Sequence, residues 1–221
     1  VMVLSLLPTV ALATDLDASQ DGTVYMSVSF NGVYKNDQTG KPMAYVPVSF
    51  DELAMIDLDA YDLADYLYDA DGDGSYEITA LHLVIYVHEN LYGGSWSDVT
   101  FTGSPGSSYF AGGLFGQDEN LNYYLNGAYP LEYESWGATS DHIVLQPGDF
   151  IDLAGYSCWG FYGDEAFGFQ YFADENDEIT HTYTAQAGAA TNIQMIKGGA
   201  SMSGDYSTAF VDVPDHTVYY G

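Results

Sequence analysis

Arginine is absent from this chain, and lysine occurs only at Lys35, Lys41 and Lys197. Against these stand 32 acidic residues, for a formal net charge of -29. A protein that grips nucleic acid must neutralise phosphates with a basic face, so nucleic acid is excluded as a partner. Anionic lipid is disfavoured for the same reason, and the surplus charge reads as a solvated, self-repelling surface that favours solubility. Cysteine is nearly missing too. Cys158, in YSCWGF, stands alone, which rules out a disulfide framework within the chain. No histidine lies near it in sequence to activate the thiol, and it reads as a buried structural residue. No apolar run reaches the roughly 18 residues that a spanning helix requires. H-E-x-x-H, G-x-S-x-G and a lysine-bearing Gly-rich phosphate loop are all missing, so zinc protease, hydrolase and nucleotide chemistries have no sequence support.

What is present supports a folded core. Of the 221 residues, 47% are hydrophobic and 16% aromatic, too apolar for a chain that stays disordered. The opening VMVLSLLPTVALATDLDASQ has the apolar stretch and the Ala11-Leu12-Ala13 small-x-small pattern of a secretory signal. Residues 1–13 are therefore expected to be a signal remnant, cut short upstream, and 14–22 an acidic linker. An exported protein without disulfides suits a bacterial surface.

From Val24 to Phe30 apolar and small polar residues alternate, the period of a half-buried strand. Met43 to Phe50 returns as a second strand, which Pro47 confines to an edge or a bulge. The segment from Asp51 to Gly74 places Leu53, Ile56, Leu63 and Leu67 loosely enough for one or two short acidic helices. Thr79 then caps a clearer helix. Leu81, Val84, Ile85, His88 and Leu91 share a face, and Gly93-Gly94 ends it. His88 on that face reads as packing.

Beyond Val99 the signals are all β. LNYYLNGAYP closes on Asn126-Gly127, a hairpin signal, and Pro147-Gly148-Asp149 marks a turn between two strands. FGFQYF, Phe167 to Phe172, adds another strand. At Ala173 an acidic joint opens a new pattern. The expected fold is α+β, mostly β: an antiparallel β-rich domain with one or two short helices over 23–172, followed over 173–221 by the start of a truncated Ig-like β-sandwich module.

Two groups of residues carry possible chemistry. In DADGDGSYEITA, Asp69, Asp71 and Asp73 occupy the first, third and fifth positions of an EF-hand loop, with Gly74 at the sixth. Ser75 would offer its carbonyl and Glu77 a carboxylate, but Ala80 stands where the bidentate acid belongs. Glu52, Asp62 or Asp65 would have to complete a calcium shell; otherwise the stretch is a solvated turn. No second copy appears, which argues against a dockerin. The other group is aromatic. Tyr123, Tyr124, Asn126 and Trp136 could line a face for sugars or flat ligands, or could fill a β-core.

The helix beginning Ala80-Leu81, the Tyr123-Tyr124-Leu125-Asn126-Gly127 strand end and the Gly148-Asp149 turn together resemble a family of exported bacterial domains. That family is related to the C-terminal β-rich domain of transcobalamin and intrinsic factor. ITALHLVIYVHE, ENLNYYLNGAYPL and SWGATSDHIVL also resemble domains in multi-module surface proteins of gut Firmicutes. The resemblance covers Val24 to Phe172 and implies a binding or scaffold domain. It does not imply cobalamin, whose other binding half is not in this chain. Where the family carries a Trp before its Y-x-x-N-G strand end, this chain has Leu121 and Asn122.

The expected function is thus a non-catalytic secreted or cell-surface module for ligand binding or adhesion, stabilised by calcium. Its partner would be an extracellular ligand, glycan or protein. The alternatives are a structural spacer and, with less support, a carbohydrate-active enzyme, since acid pairs among 32 acids identify nothing without geometry.

Overall fold

A computed structural model describes residues 21–30, 33–118, 120–132, 136–156, 170–173, 179–180, 194–197 and 209–210. The expected signal remnant, Cys158 and most of 173–221 lie outside them. In chain order the strands are β1 Thr23–Phe30, β2 Val33–Tyr34, β3 Val46–Ser49, β4 Thr100–Thr102, β5 Tyr109–Gly112 and β6 Asn120–Leu125. They continue as β7 Leu131–Glu132, β8 Trp136–Gly137, β9 Phe150–Tyr156, β10 Gln170–Ala173, β11 Ile179–Thr180, β12 Gln194–Lys197 and β13 Ala209–Phe210. Two short α-helices, α1 Phe50–Leu53 and α2 Ala80–Tyr86, complete a β-rich α+β fold with mostly antiparallel sheets.

The main sheet runs β2-β1-β9-β6, with β3 also on β1. β1 and β9 pair in parallel, Tyr25 opposite Phe150 through Phe30 opposite Gly155. The alternation of β1 promised one wet face, yet Ser27 and Ser29 are buried along with Val24, Met26 and Val28. The parallel neighbour explains the difference. A strand flanked on both edges and covered on both faces has no solvent side. Pro47 sits on β3, whose only strand partner among the described residues is β1, the edge position that proline tolerates.

Across from this sheet packs α2, with Ala80 through Ile85 all buried. Its apolar stripe is therefore not one face but nearly the whole circumference, as expected for a core helix. Its first free N–H groups donate to the Ile143 and Ser140 carbonyls, each at 2.8 Å, so the 140–145 segment caps the helix. The stretch expected as a strand from Ile143 to Leu145 forms only a single bridge, Thr79 to Val144. A π-helix, Val87–Tyr92, continues α2 until Gly93, at φ 81°, ends it in the left-handed region. The looser acidic stretch yields α1 and two 3-10 turns, Leu58–Tyr61 and Ala64–Tyr66.

The second sheet is ordered β11-β10-β12-β13, antiparallel throughout. β10 contains the end of FGFQYF, and its partners among the described residues, β11 and β12, lie downstream of it.

α2 carries a titrating cap. Thr79 and His82 form a capping box in which the Thr79 N–H donates to His82 Nδ1 at 3.1 Å. His82 is 1% exposed, and burial lowers its pKa to about 4. A base whose pKa falls on folding binds fewer protons in the native state. Its stabilising contribution is whole above about pH 6.5 and is lost as pH falls toward about 4. His82→Gln keeps the capping geometry and removes the titration. In urea denaturation series from pH 7 to 4, the parent should lose up to about 3 kcal/mol more than this variant.

Candidate functional site

The β4–β5 hairpin lies over an aromatic cluster. Phe101 and Phe110 have ring centroids 4.9 Å apart, and Trp96 and Tyr66 pack against Phe101 at 6.2 and 5.0 Å. The hairpin tip is held by Asp141, a carboxylate with no exposure. Its Oδ2 accepts the Gly106 N–H at 2.9 Å and its Oδ1 a short bond from the Ser108 hydroxyl. Beside it, His142 stacks on Tyr68 with centroids 4.0 Å apart and meets Glu132 at 2.8 Å.

Asp141 thereby ties the residues just before β5 to the segment that follows 137–139, and β6 stands on the third side. Between them is a cavity of about 170 Å³ lined by Tyr109, Asn122, Tyr123, Tyr129 and Thr139, among others. Gly137 belongs to the wall because a Cβ there would strike the Tyr129 hydroxyl. Tyr109 is 60% exposed, while Asn122, at 8% exposed, is buried. Asn122 Nδ2 and Thr139 Oγ1 have no hydrogen-bond partner among the described residues. An unpaired buried donor costs the full desolvation of that group; both atoms are closed off from solvent, and alternation along β6 puts Asn122 on the same face as Tyr124. Tyr123 donates its hydroxyl to the Ala138 carbonyl at 3.2 Å. Burial, reinforced by the Tyr129 and Asp141 charges, pushes its pKa up, so the ring stays a neutral wall.

The expected ligand residues are thus only partly gathered. Tyr123 lines the cavity, whereas Tyr124 points into the interior with no exposure. Trp136 lies on β8, paired across from Glu132. Asn126 is exposed but structurally engaged. With Gly127 it makes a tight turn, φ 52° and 77°, of the kind Asn-Gly favours. Its Nδ2 donates to Asp149 Oδ1 at 2.7 Å and its Oδ1 accepts the Phe150 N–H at 2.9 Å. Those bonds tie the β6 turn to the turn before β9. The chain after Gly127 makes one bridge back, Leu125 to Ala128, and β6 takes its ladder from β9 instead. Tyr109, Asn122 and Thr139 were not foreseen. The departure from the resembling family's pattern at Leu121 and Asn122 was the one available signal.

In the aspartate loop, carboxylate oxygens of Asp69, Asp71 and Glu77 lie within 4.8 Å of one another. Asp69 also accepts the Gly72, Asp73 and Gly74 N–H groups, and Glu77 accepts that of Ala70. Asp73 turns to the Ser75 N–H at 2.7 Å and stands outside this triad. Glu52 does not complete the shell. It is bound to Ser49 and to the Tyr86 hydroxyl at 2.6 Å. Three carboxylates suit a hard dication that fills the rest of its six to eight positions with water and carbonyls.

Two wider clefts have their principal polar side chains satisfied. In one, of about 600 Å³, His88 accepts the Phe115 N–H on Nδ1 at 3.1 Å and faces the Ser95 carbonyl through Nε2 at 3.4 Å. In the other, of about 530 Å³, Glu89 accepts from the Tyr61 hydroxyl and the Trp96 N–H. The packing role expected for His88 is what these bonds describe.

Compared with known proteins, the chain matches no family model, no curated protein and no solved structure.

The Asn126 bonds make a separable prediction. Asn126→Gly preserves the left-handed turn while deleting both side-chain bonds. It should cost about 1 to 3 kcal/mol of folding stability in chemical denaturation.

Proposed function

We propose that this protein is a non-catalytic module of the cell exterior that binds a ligand or partner through the cavity between β5, β6 and the 137–139 segment. One observation carries the reading: an exposed aromatic, Tyr109, stands at a concavity lined also by Asn122, Tyr123, Tyr129 and Thr139. Convergent polar groups in an aromatic-lined pocket are the general form of a ligand site. Among the described residues, the titratable lining groups are tyrosines, poor material for acid-base chemistry near neutrality. Placement outside the cell is supported by the Val1 to Ala13 leader pattern and by the highly acidic, disulfide-free composition. The resemblance to exported surface domains agrees with it. No helix among the described residues is long and apolar enough to cross a membrane.

Calcium belongs to the reading as a structural ion at Asp69, Asp71 and Glu77. Drawing these carboxylates around a dication would offset their mutual repulsion and fix the loop leading into α2.

An array of extracellular glycans, peptides and small ligands, probed with the whole chain, tests the site. Capture that Tyr109→Ala abolishes is the expected result. Undiminished capture by that variant would move the site elsewhere, and no capture at all would favour the spacer reading.

Calcium has its own test. At tenfold excess over its dissociation constant it should add about 1.4 kcal/mol of stability. Asp69→Asn with Asp71→Asn should remove that increment, and sodium at matched ionic strength should not reproduce it.

A further inference from the structure

We infer that the cleft between the Leu58–Tyr61 turn, the π-helix and β4 is a second binding site, and that it takes an alkylammonium group, a protonated amine on an apolar stem. This site is separate from the cavity at Tyr109, and neither reading depends on the other.

The starting observation is a charge that no cation neutralises. Glu89 is half-buried and lines the cleft of about 530 Å³. Its carboxylate accepts from two neutral donors, the Tyr61 hydroxyl at 2.7 Å and the Trp96 N–H at 2.9 Å. Both donors belong to residues that line the same cleft, so the carboxylate forms part of its wall. Each oxygen uses one lone pair on these bonds and keeps another. Tyr61 stays a donor, because burial, and then the bond to Glu89 and its charge, push the Tyr61 pKa up.

The cations of the protein are placed elsewhere. Among the described residues, the ion pairs all involve His142. Lys35 lies over the Phe30 and Tyr92 rings, 5.4 and 5.5 Å from their centroids. His88, beside Glu89 in the chain, accepts the Phe115 N–H on Nδ1, which an imidazolium cannot do. A half-buried carboxylate without a counter-charge costs free energy, and a cation from outside offsets that cost.

The walls decide which cation. Tyr61 and Phe101 are half-buried at the cleft, and the buried Trp96 packs against both. Trp96 stands at 80° to Tyr61 and 52° to Phe101, so neither pair makes the parallel slot in which a flat ligand stacks. Aromatic rings beside a carboxylate suit an ammonium group, which is drawn to both. Leu63 and Val99 add apolar surface for the stem, and Asp62 sets a second carboxylate at the exposed rim. A bare dication is a poor match, since it takes roughly six to eight oxygen ligands. A quaternary ammonium has no N–H for the open lone pairs of Glu89, so a primary amine fits better.

The whole chain should be titrated, by NMR and calorimetry, with N-acetyl-lysine methylamide and with cadaverine. These stand for the two sources of such a group, a protein side chain and a free diamine. Neutral N-acetyl-norleucine methylamide and tetramethylammonium are the controls. At least one amine should bind more tightly than both controls, and Glu89→Gln should weaken it by about tenfold or more. Binding of the lysine derivative alone assigns a protein partner, and binding of cadaverine alone a free amine. If Glu89→Gln does not fold, Asp62→Asn combined with Phe101→Leu decides, with binding about fivefold weaker expected.

Binding of neither amine overturns the inference. So does equal binding of the norleucine analogue, which would make the cleft an apolar groove, or of tetramethylammonium. Binding that Glu89→Gln leaves unchanged also overturns it. That variant alters a net charge of -29 by one, so attraction to the acidic surface as a whole would survive it.

Discussion

A single buried carboxylate sets the geometry on which the cavity depends. Asp141 is removed from solvent in a chain without arginine, and it is held by hydrogen bonds from the hairpin tip, with His142 Nε2 at 3.8 Å. Desolvating a carboxylate is costly, and it is tolerated where charge-assisted hydrogen bonds replace the lost water. Those bonds reach from the segment that caps α2 to the tip of the β4–β5 hairpin. Remove them, and the hairpin loses its anchor on the helix side of the molecule. The aromatic cluster of Trp96, Phe101 and Phe110 would still attract it, but dispersion and burial are non-directional. The two bonds to Asp141 are directional and fix where the tip sits.

Much of the fold was legible along the chain because its cues were local. Thr79 as a cap, Gly93 as a stop and Asn126-Gly127 as a tight turn each follow from backbone chemistry within a few residues. Pro47 at an edge follows from a missing donor. The parallel pairing of β1 with β9 was not legible, since nothing near Val24 announces a partner more than a hundred positions away. The burial of Ser27 and Ser29 follows from that pairing and was hidden with it.

The site was read less well for a related reason. Counting aromatics singled out Tyr123, Tyr124, Asn126 and Trp136 as neighbours along the chain. Alternation along β6 sends Tyr123 and Tyr124 to opposite faces of the sheet, and only Tyr123 lines the cavity. Asn126 resembled a ligand residue because it is polar and exposed, yet a left-handed turn residue with two satisfied side-chain bonds serves the backbone. Tyr109 comes from a Gly/Ser-rich stretch that forms a short strand but in which no residue stood out, and Thr139 comes from the segment before Asp141.

The β1–β9 ladder also governs when the protein can assemble. Its central strand has its long-range neighbour at the far end of an excursion that holds both helices, the hairpin and the aspartate loop. Closing so long a loop is entropically slow, and no part of that ladder can form until β9 has been made. A polypeptide arranged this way keeps β1 without its parallel neighbour until residues 150–156 are available to pair.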